Sequence, residues 1–172
     1  IAISGTQAEV TAALVTTDDL VVASTATVTI SDAVTIAQLT AIDAKTSGTI
    51  TYTSISDTAS NLAANTGSYV TGAVDVTITD GITAAQLVTI NALTSGEITL
   101  NDTNDTLTDS TADLVAAFTG TVTAYTGAIT INDANTTAIT AANLSTIGGE
   151  TSGVVTVTNA IAISGTQAEV TA

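Results

Sequence analysis

The residues best placed to do chemistry are acids. Asp32, Asp80, Asp102 and Asp133 each follow a short Val/Ile/Thr run at the same point of a recurring segment. The densest group is Asn101-Asp102-Thr103-Asn104-Asp105, with Asp109 shortly after. Calcium takes carboxylate and carbonyl oxygens, and like charges stacked on a ladder repel unless a cation relieves them. Asp102, Asp105 and Asp109 are therefore candidate Ca2+ ligands. The cluster lacks the glycine and the bidentate Glu of an EF-hand loop, and the chain lacks the GGxGxD nonapeptides of calcium-binding toxin-type repeats. The plainer reading is of solvated acids that favour nearby helix N-termini, with no cofactor required.

The second candidate is a hydroxyl face. The middle residue of each run is Thr: Thr29, Thr51, Thr77, Thr99, Thr130 and Thr156. Stacked as parallel strands about 4.8 Å apart, these would form one unbroken Thr ladder. A mixed column of Ser31, Thr53, Thr79, Asn101, Asn132 and Thr158 follows two residues on. A flat Thr-x-Thr array resembles the ice-binding face of some antifreeze proteins. Thr is also a good outward-facing strand residue in its own right. For catalysis the inventory is poor. There is no His or Cys and a single basic residue, Lys45, so a serine nucleophile would lack its usual base. Paired carboxylates of the glycosidase kind would stand without the Arg, Lys and aromatic platforms that hold a sugar. The chain reads as a non-enzyme.

The elements that carry these columns repeat. A strand opens each segment, as in Val28-Thr29-Ile30, Ile50-Thr51-Tyr52, Val76-Thr77-Ile78, Ile98-Thr99-Leu100, Ile129-Thr130-Ile131 and Val155-Thr156-Val157. Apolar residues flank Thr each time, so side chains alternate between core and outside. A short helix follows, announced by a hydroxyl residue three positions before Gln, Asn, Asp or Glu, the spacing of a capping box. The pairs are Thr6/Glu9, Thr35/Gln38, Thr58/Asn61, Thr83/Gln86, Ser110/Asp113 and Thr140/Asn143. Val34 with Leu39, Ile82 with Leu87 and Ile139 with Leu144 have the spacing of a hydrophobic staple. Ile42, Ile90 and Ile147 extend the apolar stripe by a turn. Gly48, Gly96 and Gly153 end the short segments, where a positive φ is expected for the exit turn. The stretches SYVTGAVD, TVTAYTG and VVASTA offer room for a second short strand in alternate segments.

The largest regularity is a restart. Residues 1–12 read IAISGTQAEVTA and residues 161–172 read the same, an offset of 160 residues. Six segments of about 27 residues, starting near 27, 49, 75, 97, 128 and 154, fill that period, a length typical of repeat architectures. The expected fold is a β-solenoid with short helices: strand–helix coils with a parallel sheet along one side, in an open-ended repeat stack. Residues 1–160 would be one six-coil unit and 161–172 the start of the next. The alternative is an ordinary α/β domain with a doubly wound sheet.

Composition limits the partners. Sixteen acids against one base give a net charge of -15, which disfavours nucleic acid and anionic membranes, since both demand Lys and Arg. Apolar residues make up 45% of the chain, too many for intrinsic disorder. No run is long enough to span a bilayer, and no basic-then-apolar leader opens the sequence. The chain begins at Ile1 and reads as a segment.

Stretches such as VTIAQLTAIDAKTSGTITYTSISDTASNLAANTGSYV and VTITDGITAAQLVTINALTSGEITL resemble the repeats of very large secreted proteins of marine bacteria, cyanobacteria in particular. The resemblance covers nearly the whole chain. It implies secretion, a cell-surface or matrix location, and a role in adhesion, motility or envelope coating, often with calcium. The expected function is a structural component of an extracellular filament or surface fibre. Its partners would be identical repeats or subunits meeting end to end, with lateral fibre contacts. The alternative is a calcium-dependent adhesin stalk or a ligand- or ice-binding repeat module.

Overall fold

The computed structural model describes residues 1–16, 21–100, 106–123 and 125–171. Every Val/Ile–Thr run forms a strand, and every hydroxyl cap opens a helix. In chain order the elements are β1 (Ala2–Gly5), α1 (Gln7–Thr11), a π-helical turn over Ala12–Thr16, β2 (Thr27–Ile30) and α2 (Ile36–Asp43). Then come β3 (Ile50–Thr51), β4 (Ser54–Asp57), α3 (Ala59–Ala64), β5 (Asp75–Ile78), α4 (Ala84–Leu93) and β6 (Ile98–Leu100). The chain continues with β7 (Leu107–Asp109), α5 (Thr111–Ala117), β8 (Ile129–Ile131), β9 (Ala138–Thr140) and α6 (Ala141–Gly149). It finishes with β10 (Val155–Val157), β11 (Ala162–Ser164) and α7 (Gln167–Thr171).

The chain does not form the expected β-solenoid with one parallel sheet along one side. It is a small α/β domain whose strands fall into four short parallel sheets: β1-β2-β3, β4-β5-β6, β7-β8-β10 and β9-β11. The reason lies in a second strand just before certain helices. Strand β3 ends after two residues, and β4 starts at Ser54. The next repeat pairs with β4, placing Val76 opposite Ile55 and not opposite Ile50. In the same way β8 pairs with β7 and leaves β6 behind. Pairing thus steps sideways, and each step closes one sheet and opens another. The second strands were expected in SYVTGAVD, TVTAYTG and VVASTA. Among the described residues, TVTAYTG supplies only isolated bridges, at Val122 and Tyr125, and SYVTGAVD reaches only the first residue of β5, Asp75.

The core lies between strands and helices. Val28, Ile30, Val76, Ile78, Ile129 and Ile131 point inward from the strands. Leu39, Leu62, Leu87 and Leu114 meet them from the helices, with Ile42, Ile90 and Ile147 behind. Helices pack on their neighbours, α3 on α4, α4 on α5, α5 on α6 and α6 on α7. Of the staple pairs, Val34 and Leu39 are both buried, whereas Ile82 and Leu144 are half-buried. Complete capping boxes form at Thr6/Glu9, Thr35/Gln38 and Thr83/Gln86. At Thr58, Ser110 and Thr140 the hydroxyl accepts the expected backbone N–H, but the return bond to the cap's own N–H is not made by the third residue. Asn and Asp are one methylene shorter than Gln and Glu, which accounts for the missing half.

Candidate functional site

The acids that follow the strands have a job inside the fold. Asp32 accepts the N–H of Gln7, Asp57 that of Ile36 at 2.9 Å, Asp80 that of Ala59 at 2.7 Å, and Asp133 that of Thr111 at 2.8 Å. Each donor is the first residue of a helix in the preceding repeat. A helix start leaves N–H groups without intrahelical partners and carries positive partial charge. The hydroxyl cap satisfies one of these donors, and the acid of the following repeat satisfies another. These carboxylates therefore tie one repeat to the next.

Asp57 was not among the acids singled out by spacing. It lies last in β4, is 7% exposed, and also accepts from Thr58 N–H and from Asn61 Nδ2, each at 2.8 Å. Asp109 holds the same place in β7 and accepts from Ser110 N–H at 2.8 Å. The readable signal was an Asp directly before a hydroxyl cap, Asp57-Thr58 and Asp109-Ser110. Of the calcium candidates, Asp102 and Asp105 lie outside the described residues, and Asp109 takes part in capping. Among the described residues no three acids converge as a metal-ligating group.

The Thr ladder is real in pieces. It divides into Ser4–Thr29–Thr51, Ser56–Thr77–Thr99 and Thr108–Thr130–Thr156. Thr51 does not pair with Thr77, nor Thr99 with Thr130, because the sheets change there. Among the described residues the hydroxyls form these three short rows and the pair Ser164–Thr140, not one array.

A third joint recurs at Thr-Ser-Gly. The hydroxyls of Thr46, Thr94 and Thr151 each donate at 2.6 Å to a carbonyl of the preceding repeat, on Ala26, Val74 and Gly127. Each also accepts the N–H of the glycine two residues on, at 3.0, 2.9 and 2.9 Å. Gly48, Gly96 and Gly153 do not have the positive φ expected of them. Glycine is needed for close approach instead: a Cβ there would sit 2.0, 2.3 and 2.2 Å from the carbonyl oxygens of Ala26, Val74 and Gly127.

The two copies of the twelve-residue segment fold alike. Each has a strand, a cap made by Thr6 or Thr166, and a five-residue helix. In both, the Glu carboxylate accepts the cap residue's N–H, Glu9 at 2.8 Å and Glu169 at 2.6 Å. That bond, reinforced by the Thr hydroxyl, holds both carboxyls below the usual carboxylate range. Their surroundings are opposite. In the first copy β2 lies on β1 and Val10 is 1% exposed, while Ile1 is 90% exposed. In the second copy β9 lies on β11, Ile161 is half-buried, and Val170 is 55% exposed. Each copy is covered on one side and open on the other.

Comparison of the chain with protein-family models, with curated proteins and with solved structures returns no match.

Proposed function

We propose that this chain is a structural component of an extracellular filament or surface fibre, in which 160-residue units follow one another end to end. The observation that carries this reading is the twelve-residue segment that occurs at both ends, folds the same way, and is covered on opposite sides. A segment that takes a partner strand on one side in its first copy, β2, and on the other side in its second, β9, suits a repeating assembly. The inter-repeat bonds point the same way. Asp-to-helix caps at four helix starts and Thr-Ser-Gly bonds at three turns join the side chains of one repeat to the backbone of a neighbour. The extracellular placement rests on the resemblance of the repeats to those of giant secreted bacterial proteins.

The test is length. Proteins carrying one, two and three 160-residue units in tandem should appear by negative-stain microscopy as rods of constant width, with length proportional to unit number. Compact, separate beads would sink the reading. Chelation separates the fibre from a calcium-dependent adhesin stalk. The carboxylates of Asp32, Asp57, Asp80 and Asp133 already accept backbone N–H groups, so EDTA should leave the melting temperature unchanged. A large drop would favour the stalk.

A further inference from the structure

We infer that Asp80-Gly81 is a self-modifying site, at which Asp80 converts through a cyclic imide into isoaspartate and so undoes one of the chain's own inter-repeat caps. The chemistry holds whether or not the units form a filament.

The strand-following acids differ in the residue that comes next. Ala33 follows Asp32 and Ala134 follows Asp133, while Thr58 follows Asp57 and Ser110 follows Asp109. Asp80 is followed by glycine, and Asp80-Gly81 is the one Asp-Gly pair in the sequence. The carboxyl carbon of an Asp and the backbone nitrogen of the next residue can close a five-membered ring, and attack within one chain gains from proximity. A Cβ on the following residue crowds that nitrogen and narrows its backbone freedom; glycine does neither.

Hydrogen bonding singles out the same pair. Thr58 N–H and Ser110 N–H each donate to Oδ1 of the preceding Asp at 2.8 Å, so those amides are engaged. The Gly81 N–H meets no acceptor among the described residues. Asp57 takes three donors, and Asp133 takes both the N–H and the hydroxyl of Thr111. Among the described residues Asp80 accepts one bond, from Ala59 N–H to Oδ1 at 2.7 Å. Asp32 is also held by a single bond, from Gln7 N–H, but it precedes Ala33. Asp80 and Gly81 are both half-buried, within reach of water. Fraying at the start of the six-residue α3 breaks the one bond that restrains the Asp80 carboxyl.

The steps balance without an oxidant or reductant. The Gly81 nitrogen bonds to the Asp80 carboxyl carbon; its proton and one from solvent leave with a carboxyl oxygen as water. Water then opens the imide. Cleavage at the side-chain carbonyl restores Asp80, and cleavage at the main-chain carbonyl gives isoaspartate, with one extra methylene in the backbone. The freed carboxylate then hangs directly on Cα, too short to keep its place against Ala59 while β5 holds its register. Ala59 is fully buried, so its N–H loses its partner and the start of α3 loosens.

The test ages the full chain at neutral pH beside Gly81→Ala, a variant that copies the Asp-Ala pairs at Asp32 and Asp133. Peptide mapping by electron-transfer fragmentation distinguishes Asp from isoaspartate. Isoaspartate should accumulate at position 80 and not at 32 or 133, and Gly81→Ala should slow it by about tenfold. Amide exchange at Ala59 should quicken by about tenfold in the aged chain. No more isoaspartate at 80 than at 32 and 133, or an equal rate in Gly81→Ala, would overturn the site. Isoaspartate at 80 with unchanged exchange at Ala59 would overturn the claim that it undoes the cap.

Discussion

Asp57 serves three donors at once, and one of them, Ile36 N–H, belongs to a buried residue of the neighbouring repeat. Asp57→Ala should therefore destabilise the chain by about 1–3 kcal/mol, the cost of leaving buried donors unmet. Asp57→Asn, which keeps an acceptor oxygen, should lose less; urea midpoints for the two variants check both. The glycines divide in the same way. Gly96→Ala forces a Cβ to within 2.3 Å of the Val74 carbonyl oxygen and should cost about 1–3 kcal/mol. Gly148→Ala, inside α6 with nothing within 4 Å, should instead gain about 0.5–1 kcal/mol. Equal melting temperatures for the two variants would contradict the close-approach argument. Glu9 adds a pH effect. Its carboxyl is held low chiefly by the Thr6 N–H and next by the Thr6 hydroxyl. What it contributes is fully present above the ordinary carboxylate value and is lost as pH falls through the lowered one. Amide exchange at Thr6 should quicken in that acid window, and Glu9→Gln should abolish the dependence. Hydroxyl caps and core positions were legible as residue types because spacing alone specifies them. The partner of each strand-following acid was not, because it lies 21 to 25 residues away.

At the scale of elements, the helices and six of the eleven strands among the described residues were readable, and the other five strands and the assembly were not. Period-two runs gave strands, and cap-plus-stripe patterns gave helices, within a residue or two at each end. The sheet arrangement turned on Ser54-Ile55-Ser56-Asp57 and Leu107-Thr108-Asp109, short runs with one large apolar residue each. Such runs carry little periodic signal, yet they capture the pairing of the next strand and end the previous sheet. The hydroxyl of Tyr52 marks one of these steps, donating to Tyr69 O at 2.8 Å. The helices are too short to persist alone, so their stability comes from packing. Leu87, fully buried in α4, should cost about 2–5 kcal/mol on replacement by Ala. The half-buried staple residue Ile82 should cost less. Thermal melts that rank the two variants the other way would show that α4 is not anchored through its buried stripe.

For the whole molecule, charge and architecture pull in different directions. With sixteen acids and one base, any two copies repel at a distance, and salt screens that repulsion. Sedimentation of the chain should accordingly show no less association at higher ionic strength; a fall with salt would mean that attraction between charges holds copies together. The Asp caps have a consequence for how the chain is made. A polypeptide is synthesised from its N-terminus, and here the acid that completes a helix arrives 21 to 25 residues after that helix has been made. The repeats that carry α1, α2, α3 and α5 must therefore wait on the ribosome for their successors before their helix starts are fully bonded. Folding trails synthesis by one repeat, like a zip whose slider always runs one tooth behind the hand.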